Sequence, residues 1–289
     1  MKKLLILCLF CLLSIATILF LSCNSEETSN ERVHYSNEQQ NEELLNSLKE
    51  YNDCLALNSD ITRSGAEWHE IVESDLIGGF AAGMLTGFFP PAVAIGAIAG
   101  SAIRWIDGNQ IFANQGNMQL IEAECAYMLV LQENPQLDID YTYVEDLDSI
   151  TATIGRIHNL ALRKIQYVRT HGIHFNTTQI QSQISPDILT IIHSDSFTAL
   201  YDTINTTISN GESLDYLLTD SIPDQIMYLY NQAISYASSP EDIDNYANDY
   251  MYMIESSGIE LSDEELSSIA AGMTISSYSY RLWSEESDY

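Results

Sequence analysis

His158, His171 and His174 are the residues whose types and spacing come nearest to a reactive group. The last two have H-x-x-H spacing, and Arg156, Arg163, Lys164 and Arg169 stand around them in the sequence. Imidazole is a common metal ligand, but nearby cations oppose the binding of another positive charge, so the set makes a poor metal cage. It fits an anionic ligand or a protein partner better, with Arg156, His158, Arg163, His171 and His174 as the contacts. A solvated basic face offsetting an acidic body explains the arginines equally well. A second candidate is His69-Glu70-Ile71-Val72-Glu73, one residue away from the H-E-x-x-H of zinc proteases. Glu73 stands where the second metal histidine belongs. A carboxylate can ligate zinc, but so short a near-match is common by chance. The sequence has no G-x-S-x-G elbow, phosphate loop or dinucleotide fingerprint, which removes the easily recognised hydrolase, nucleotidase and oxidoreductase classes. The expectation is a protein that binds rather than catalyses, with no cofactor and no resident metal. The rival is a metal-dependent or hydrolytic enzyme built on His158, His171 and His174.

Charge narrows the partners. The chain carries 41 Asp and Glu against 11 Lys and Arg, a formal net charge of −30. Such an excess repels polyphosphates and anionic headgroups, so nucleic-acid binding, which needs a basic footprint, is disfavoured. The ordinary consequence of the charge is solubility.

The N-terminus indicates location. Lys2 and Lys3 precede an apolar run from Leu4 to Leu21, followed by Ser22, Cys23 and the polar Asn24-Ser25-Glu26-Glu27. A basic head, an apolar core and a small residue before a processing point describe a secretory signal. Phe20-Leu21-Ser22-Cys23 resembles the lipobox of bacterial lipoproteins, in which a signal peptidase cuts before the cysteine and the new terminus is acylated. That resemblance implies a signal peptide over 1–22, a lipidated Cys23 holding the chain to a membrane, and a cell-envelope location. Asn24-Ser25-Glu26-Glu27 is similar to the acidic sequence that directs such lipoproteins to the outer surface of the outer membrane. Residues 23–40 then read as a polar tether, and 41–289 as a helical domain. Cys54 and Cys125 are the cysteines left to that domain; they either pair in an oxidising compartment or fill helical core positions as thiols.

The elements that would position these groups are helical, and the predicted class is all-α in a single domain. β-Branched residues are scattered and alternating runs are rare. Ile150, Ile154, Ile157, Ala161, Ile165 and Val168 form one apolar stripe, while Arg156, Asn159, Arg163 and Tyr167 share another face. Gly172 supplies a stop. Proline follows a capping serine at Ser185-Pro186 and Ser239-Pro240, and Ser262 through Glu265 reads as a capping box.

No charged residue occurs from Leu76 to Ile103. Gly79, Gly83 and Gly87 recur at four-residue spacing, Pro90-Pro91 interrupts, and Gly96 and Gly100 resume the spacing. Glycines so spaced share a helical face that a second helix can approach closely. Two arms of about 14 residues would each be roughly 21 Å long, short of the roughly 30 Å hydrocarbon core of a bilayer. The expectation for 76–103 is therefore a tight hairpin, serving either as the buried spine of the domain or as a surface for membrane insertion or self-association.

Three separated pieces resemble an uncharacterised group of helical lipoproteins from Bacteroidota. They are Trp68-His69-Glu70-Ile71 with Asp75 and the glycine-rich stretch; Asp148-Ser149-Ile150 with Gly155-Arg156-Ile157-His158-Asn159; and Leu261 through Ser276-Ser277-Tyr278 to Trp283. The resemblance implies the envelope location and helical fold, and no activity. Asp148-Ser149-Ile150, Asp202-Thr203-Ile204 and Asp220-Ser221-Ile222 look like the acidic-hydroxyl-apolar sequons that Bacteroidota O-glycosylate.

Overall fold

The computed structural model describes residues 36–58, 67–107, 116–137, 147–218 and 221–286. Cys23 and the signal and lipobox residues lie outside them. Among the described residues every regular element is helical. The α-helices are α1 (Asn37–Asn58), α2 (Glu67–Thr86), α3 (Pro90–Asp107), α4 (Gly116–Glu133), α5 (Leu147–Thr170), α6 (Thr177–Gln181), α7 (Pro186–Ile192), α8 (Asp195–Ser209), α9 (Ile222–Ile234), α10 (Pro240–Ser257) and α11 (Asp263–Glu286). Short 3-10 turns follow α4 and α8 at Pro135–Leu137 and Leu214–Leu217.

Local chemistry sets several boundaries. Ser262 and Glu265 cap α11 reciprocally: the Glu265 amide donates to Ser262 Oγ at 3.2 Å, and the Ser262 amide to Glu265 Oε2 at 2.8 Å. Ser221 and Asp224 do the same for α9, so the Ser221 hydroxyl is already engaged. Ser239 caps α10 ahead of Pro240, whereas Ser185 precedes Pro186 without a side-chain cap. Gly172, at φ 61°, closes the turn after α5. α1 begins four residues before the expected start of the helical body at 41, so the end of the expected tether is helical.

The hairpin forms, with its break ahead of the prolines. The Phe88 amide reaches back to the Gly83 carbonyl at 2.8 Å, and both Gly87 and Phe88 take left-handed φ angles of 62° and 54°. Pro90 and Pro91 then occupy the opening positions of α3, where a missing N–H costs nothing, and the Phe89 carbonyl accepts from Ala92 and Val93. Both arms run longer than expected, because α2 extends back to Glu67 and α3 on to Asp107. No described helix is long and apolar enough to cross a membrane.

α2 and α3 lie along each other at the centre. α11 covers α2; α5 packs on α11, α3 and α4; α8 touches α2, α3 and α4; and α1, α9 and α10 form a further group beside α11. Residues 90–103 are all buried. The predicted stripe of α5 faces inward, with Ile154, Ile157, Ala161 and Ile165 fully buried. Leu44, Leu45 and Leu48 of α1 are buried, whereas Leu57 at its end is 85% exposed.

Candidate functional site

Three helices bring one polar cluster into this apolar centre. Asp75 on α2, His158 on α5 and Ser279 on α11 are each 0% exposed. Ser279 Oγ donates to Asp75 Oδ2 at 2.5 Å, and His158 Nε2 stands 3.2 Å from the same oxygen, within ion-pair distance but outside hydrogen-bond alignment. Asn159 orients the ring from its other side: its amide nitrogen donates to the Tyr278 carbonyl at 2.8 Å, which leaves its Oδ1 to accept from His158 Nδ1 at 2.9 Å. Asp75 Oδ1 has no hydrogen-bond partner.

The order of the groups decides what the cluster can do. In a nucleophilic triad the imidazole lies between hydroxyl and carboxylate, so that it can take the hydroxyl proton. Here the carboxylate lies between hydroxyl and imidazole. Ser279 has no imidazole to take its proton, and all three groups are fully buried. Asp75, His158-Asn159 and Tyr278 come from the three separated pieces singled out above, so those pieces meet at one point in the core. Ser279 itself went unnoticed in the sequence, since nothing local marks it among the serines of α11.

Close backbone approach surrounds the cluster. A Cβ on Gly100 of α3 would lie 2.2 Å from the Ser74 carbonyl oxygen, and one on Gly155 of α5 would lie 2.4 Å from the Tyr278 ring. Gly96 meets the Gly78 carbonyl at 2.7 Å in the same construction, while Gly79 meets Ile275 at 2.5 Å and Gly83 meets Ser268 Oγ at 2.6 Å, both on α11. The glycine contacts thus reach two partners, α3 against α2 and α2 against α11. Gly87 is a correction: a Cβ there would meet nothing within 4 Å. Its role is the left-handed turn that ends α2, where side chains carry a steric cost. Gly78, Gly155 and Gly272 also sit in tight contacts, off the four-residue pattern that drew attention to the others.

The expected histidine group does not assemble. His171 and His174 are exposed beyond the end of α5, whereas His158 is sealed in the core, roughly 20 Å back along the helix at 1.5 Å per residue. His171 stacks on exposed Tyr167, ring centroids 4.2 Å apart. Lys164 pairs with Glu133 at 2.7 Å and Arg169 with Glu122, both on α4. Arg156 and Arg163 are exposed on the outer side of α5. Of the expected anion or partner site, Arg156, Arg163, His171 and His174 therefore remain accessible, and His158 belongs to the buried cluster.

The near-match to a zinc motif separates as well. Glu70 pairs with Arg104 of α3. Glu73 faces the turn after α8, with Ser213 Oγ donating to Oε1 at 3.4 Å, and its carboxyl is pushed up to about 7 by burial and by the charge of Asp215. His69 lies edge-on to Trp68, which in turn packs edge-on against Tyr280. No group of three or more His, Cys, Asp or Glu suited to a metal occurs among the described residues. Cys54 and Cys125 are free thiols, the first exposed and the second buried, and burial pushes the Cys125 thiol up to about 12.

Two further polar contacts gave no local sequence signal. Fully buried Glu124 of α4 meets His193 Nε2 at 2.9 Å. Tyr250 donates to Asn52 Oδ1 at 2.7 Å while Asn52 Nδ2 donates to the Leu229 carbonyl at 2.8 Å, tying α10, α1 and α9 together. No protein-family model, curated protein or solved structure matches the chain.

Proposed function

We propose that the chain is a lipid-anchored protein of a bacterial cell envelope that works by binding, not by catalysis. It is tethered at Cys23 in the outer membrane with its helical body displayed from the surface. The observation that carries the binding reading is the division of its polar groups. The residues with catalytic chemistry, Asp75, His158 and Ser279, are sealed from solvent, while Arg156, Arg163, Tyr167 and His171 are exposed together along α5. That face suits an acidic partner. The hairpin acts as the spine of the body: residues 90–103 are covered by the chain's own helices, so insertion into lipid would require the body to open. The anchoring reading rests on Lys2, Lys3, the apolar run and Leu21-Ser22-Cys23, together with the resemblance to the Bacteroidota group.

Metabolic labelling with a fatty acid tests the anchor. Wild type takes up label, and Cys23→Ala does not and leaves the membrane fraction or persists as a precursor. Labelled Cys23→Ala protein defeats the lipoprotein reading. Metal analysis after dialysis against a chelator tests the other half, because stoichiometric retained zinc favours the enzymatic rival.

A further inference from the structure

α5 carries an outer stripe at spacings of four, three, four and four residues: Arg156, Leu160, Arg163, Tyr167 and His171, all exposed. Leu160 is 36% and Tyr167 54% exposed, large apolar surfaces left uncovered on an otherwise amphipathic helix. Arg156 and Arg163 carry the positive charge of this stripe, while Lys164 and Arg169 on the flank pair with Glu133 and Glu122 of α4. The opposite arrangement occurs on α10. Glu241, Asn245, Asn248, Tyr252 and Glu255 are exposed at spacings of four, three, four and three, with Asp249 alongside and Tyr252 71% exposed.

We infer that the α5 face of one copy of this chain docks on the α10 face of a second copy. The inference rests on the reading of α5 as a contact face and names its partner. With the helices antiparallel, the two stripes fall into register: Arg156 meets Glu255, Leu160 meets Tyr252, Arg163 meets Asn248 and Asp249, Tyr167 meets Asn245, and His171 meets Glu241. Arg156 and Arg163 face carboxylates, and Leu160 and Tyr252 cover each other's apolar surface. Run parallel, the stripes pair Arg156 with Glu241, Tyr167 with Tyr252 and His171 with Glu255, so the two faces complement each other in either direction.

One chain cannot make this contact with itself, because α10 commits Ile243, Tyr250 and Ile254 to the core and α5 commits Ile154, Ile157, Ala161 and Ile165, which turns both stripes away from the body. The two patches differ, so the contact either forms twice in a two-fold, isologous pair or runs head-to-tail as a ring or an open row. A stripe roughly 22 Å long and one helix wide gives less than the roughly 1,200 Å² of a stable complex, and so a weak association. Confinement on a membrane raises the effective concentration enough for such a contact to matter. The net charge of −30 opposes association at long range, but at about 0.15 M salt the screening length is about 8 Å, so touching pairs outweigh distant repulsion.

Sedimentation of the full chain in mild detergent at that salt tests the inference. Wild type should associate with increasing concentration. Arg156→Glu with Arg163→Glu, and separately Glu241→Arg with Glu255→Arg, should each weaken association at least about tenfold. An equimolar mixture of the two variants should recover a one-to-one pair, since one variant keeps the wild-type α5 face and the other keeps the wild-type α10 face. All four positions are exposed, and Tyr252→Ala gives a charge-independent variant that should also weaken assembly. A wild type that stays monomeric to roughly 1 mM, or a mixture that fails to recover, overturns the inference. A poly-glutamate peptide bound by that monomer, and lost with the arginine changes, would leave α5 a contact face with another partner. Neither assembly nor peptide binding would remove both readings.

Discussion

Gly100→Ala adds one methyl group where the structure has no room for it. The new Cβ would lie 2.2 Å from the Ser74 carbonyl oxygen and 2.8 Å from its carbon. Both are backbone atoms of α2, so no side chain can rotate away. Restoring ordinary contact needs about 1 Å of separation between α2 and α3, and a gap of that size forfeits roughly a quarter to a half of the dispersion attraction of each atom pair it opens. Overpacking costs about 1–3 kcal/mol, and rigid neighbours place this site near the top of that range. Alanine's helix propensity returns up to about 1 kcal/mol. The net loss is about 2 kcal/mol, or a fall in Tm of about 4–8 °C for a domain of this size. Thermal and urea denaturation followed by circular dichroism measure it. Gly87 provides the contrast, because the space beside it is open and only its φ of 62° resists a side chain. Asparagine tolerates that conformation, so Gly87→Asn should cost clearly less than Gly100→Asn. An unchanged or raised midpoint for Gly100→Ala, or the reverse ranking of the asparagine variants, refutes close packing as the function of Gly100.

Other changes address the buried groups. His158→Ala removes the ring packed against Asp75 and opens a cavity in the core, and should destabilise by about 3–5 kcal/mol in urea melts, whereas Asp75→Leu with His158→Leu should recover most of that loss. Glu73 has its carboxyl raised from 4.5 to about 7; the folded state therefore holds the proton longer than the unfolded chain, and stability falls as pH rises from about 4.5 to about 7. Glu73→Gln should flatten that slope and raise Tm more at pH 8 than at pH 5, and equal gains at both would count against it. Asp244 moves the other way, because its bonds to Arg281 and Ser277 outweigh burial and hold its carboxyl below the usual 3.8. Its contribution is present above that value and lost as pH falls through the lowered folded-state pKa, so Arg281→Gln should lower Tm at neutral pH and lower it progressively less on acidification below 3.8.

Features governed by neighbours in the chain were legible before the fold was seen. The inward stripe of α5 follows from helical periodicity, the α11 cap from Ser262 and Glu265, and the division of the hairpin into two arms from Pro90-Pro91, although the turn itself falls just ahead of them at Gly87 and Phe88. Features governed by distance were not. Asp75 and Ser279 are 204 positions apart, and no local pattern ties them. The histidines misled for the converse reason: closeness in sequence looked like closeness in space, but the helix buries His158 at the middle of α5 and leaves His171 beyond its end. Four-residue spacing likewise drew Gly87 into a packing face although the helix had already ended there, since periodicity records a repeat and not the φ angle at which it stops.

The buried cluster and the exposed face of α5 are linked through the helix they share. Faces made of glycine and alanine have shallow ridges and grooves, so α2 and α3 gain contact from close approach but little resistance to sliding. A polar knot supplies the resistance. Moving α5 by one turn, about 5.4 Å, would carry His158 away from Asp75 and Asn159 away from the Tyr278 carbonyl, stranding buried polar groups at a cost of several kcal/mol. Rotating it by one residue, about 100°, would turn Arg156 and Tyr167 inward. The cluster thus uses ion-pair and hydrogen-bond chemistry to hold one register, and that register keeps the arginine and tyrosine stripe of α5 facing outward, where a partner can meet it.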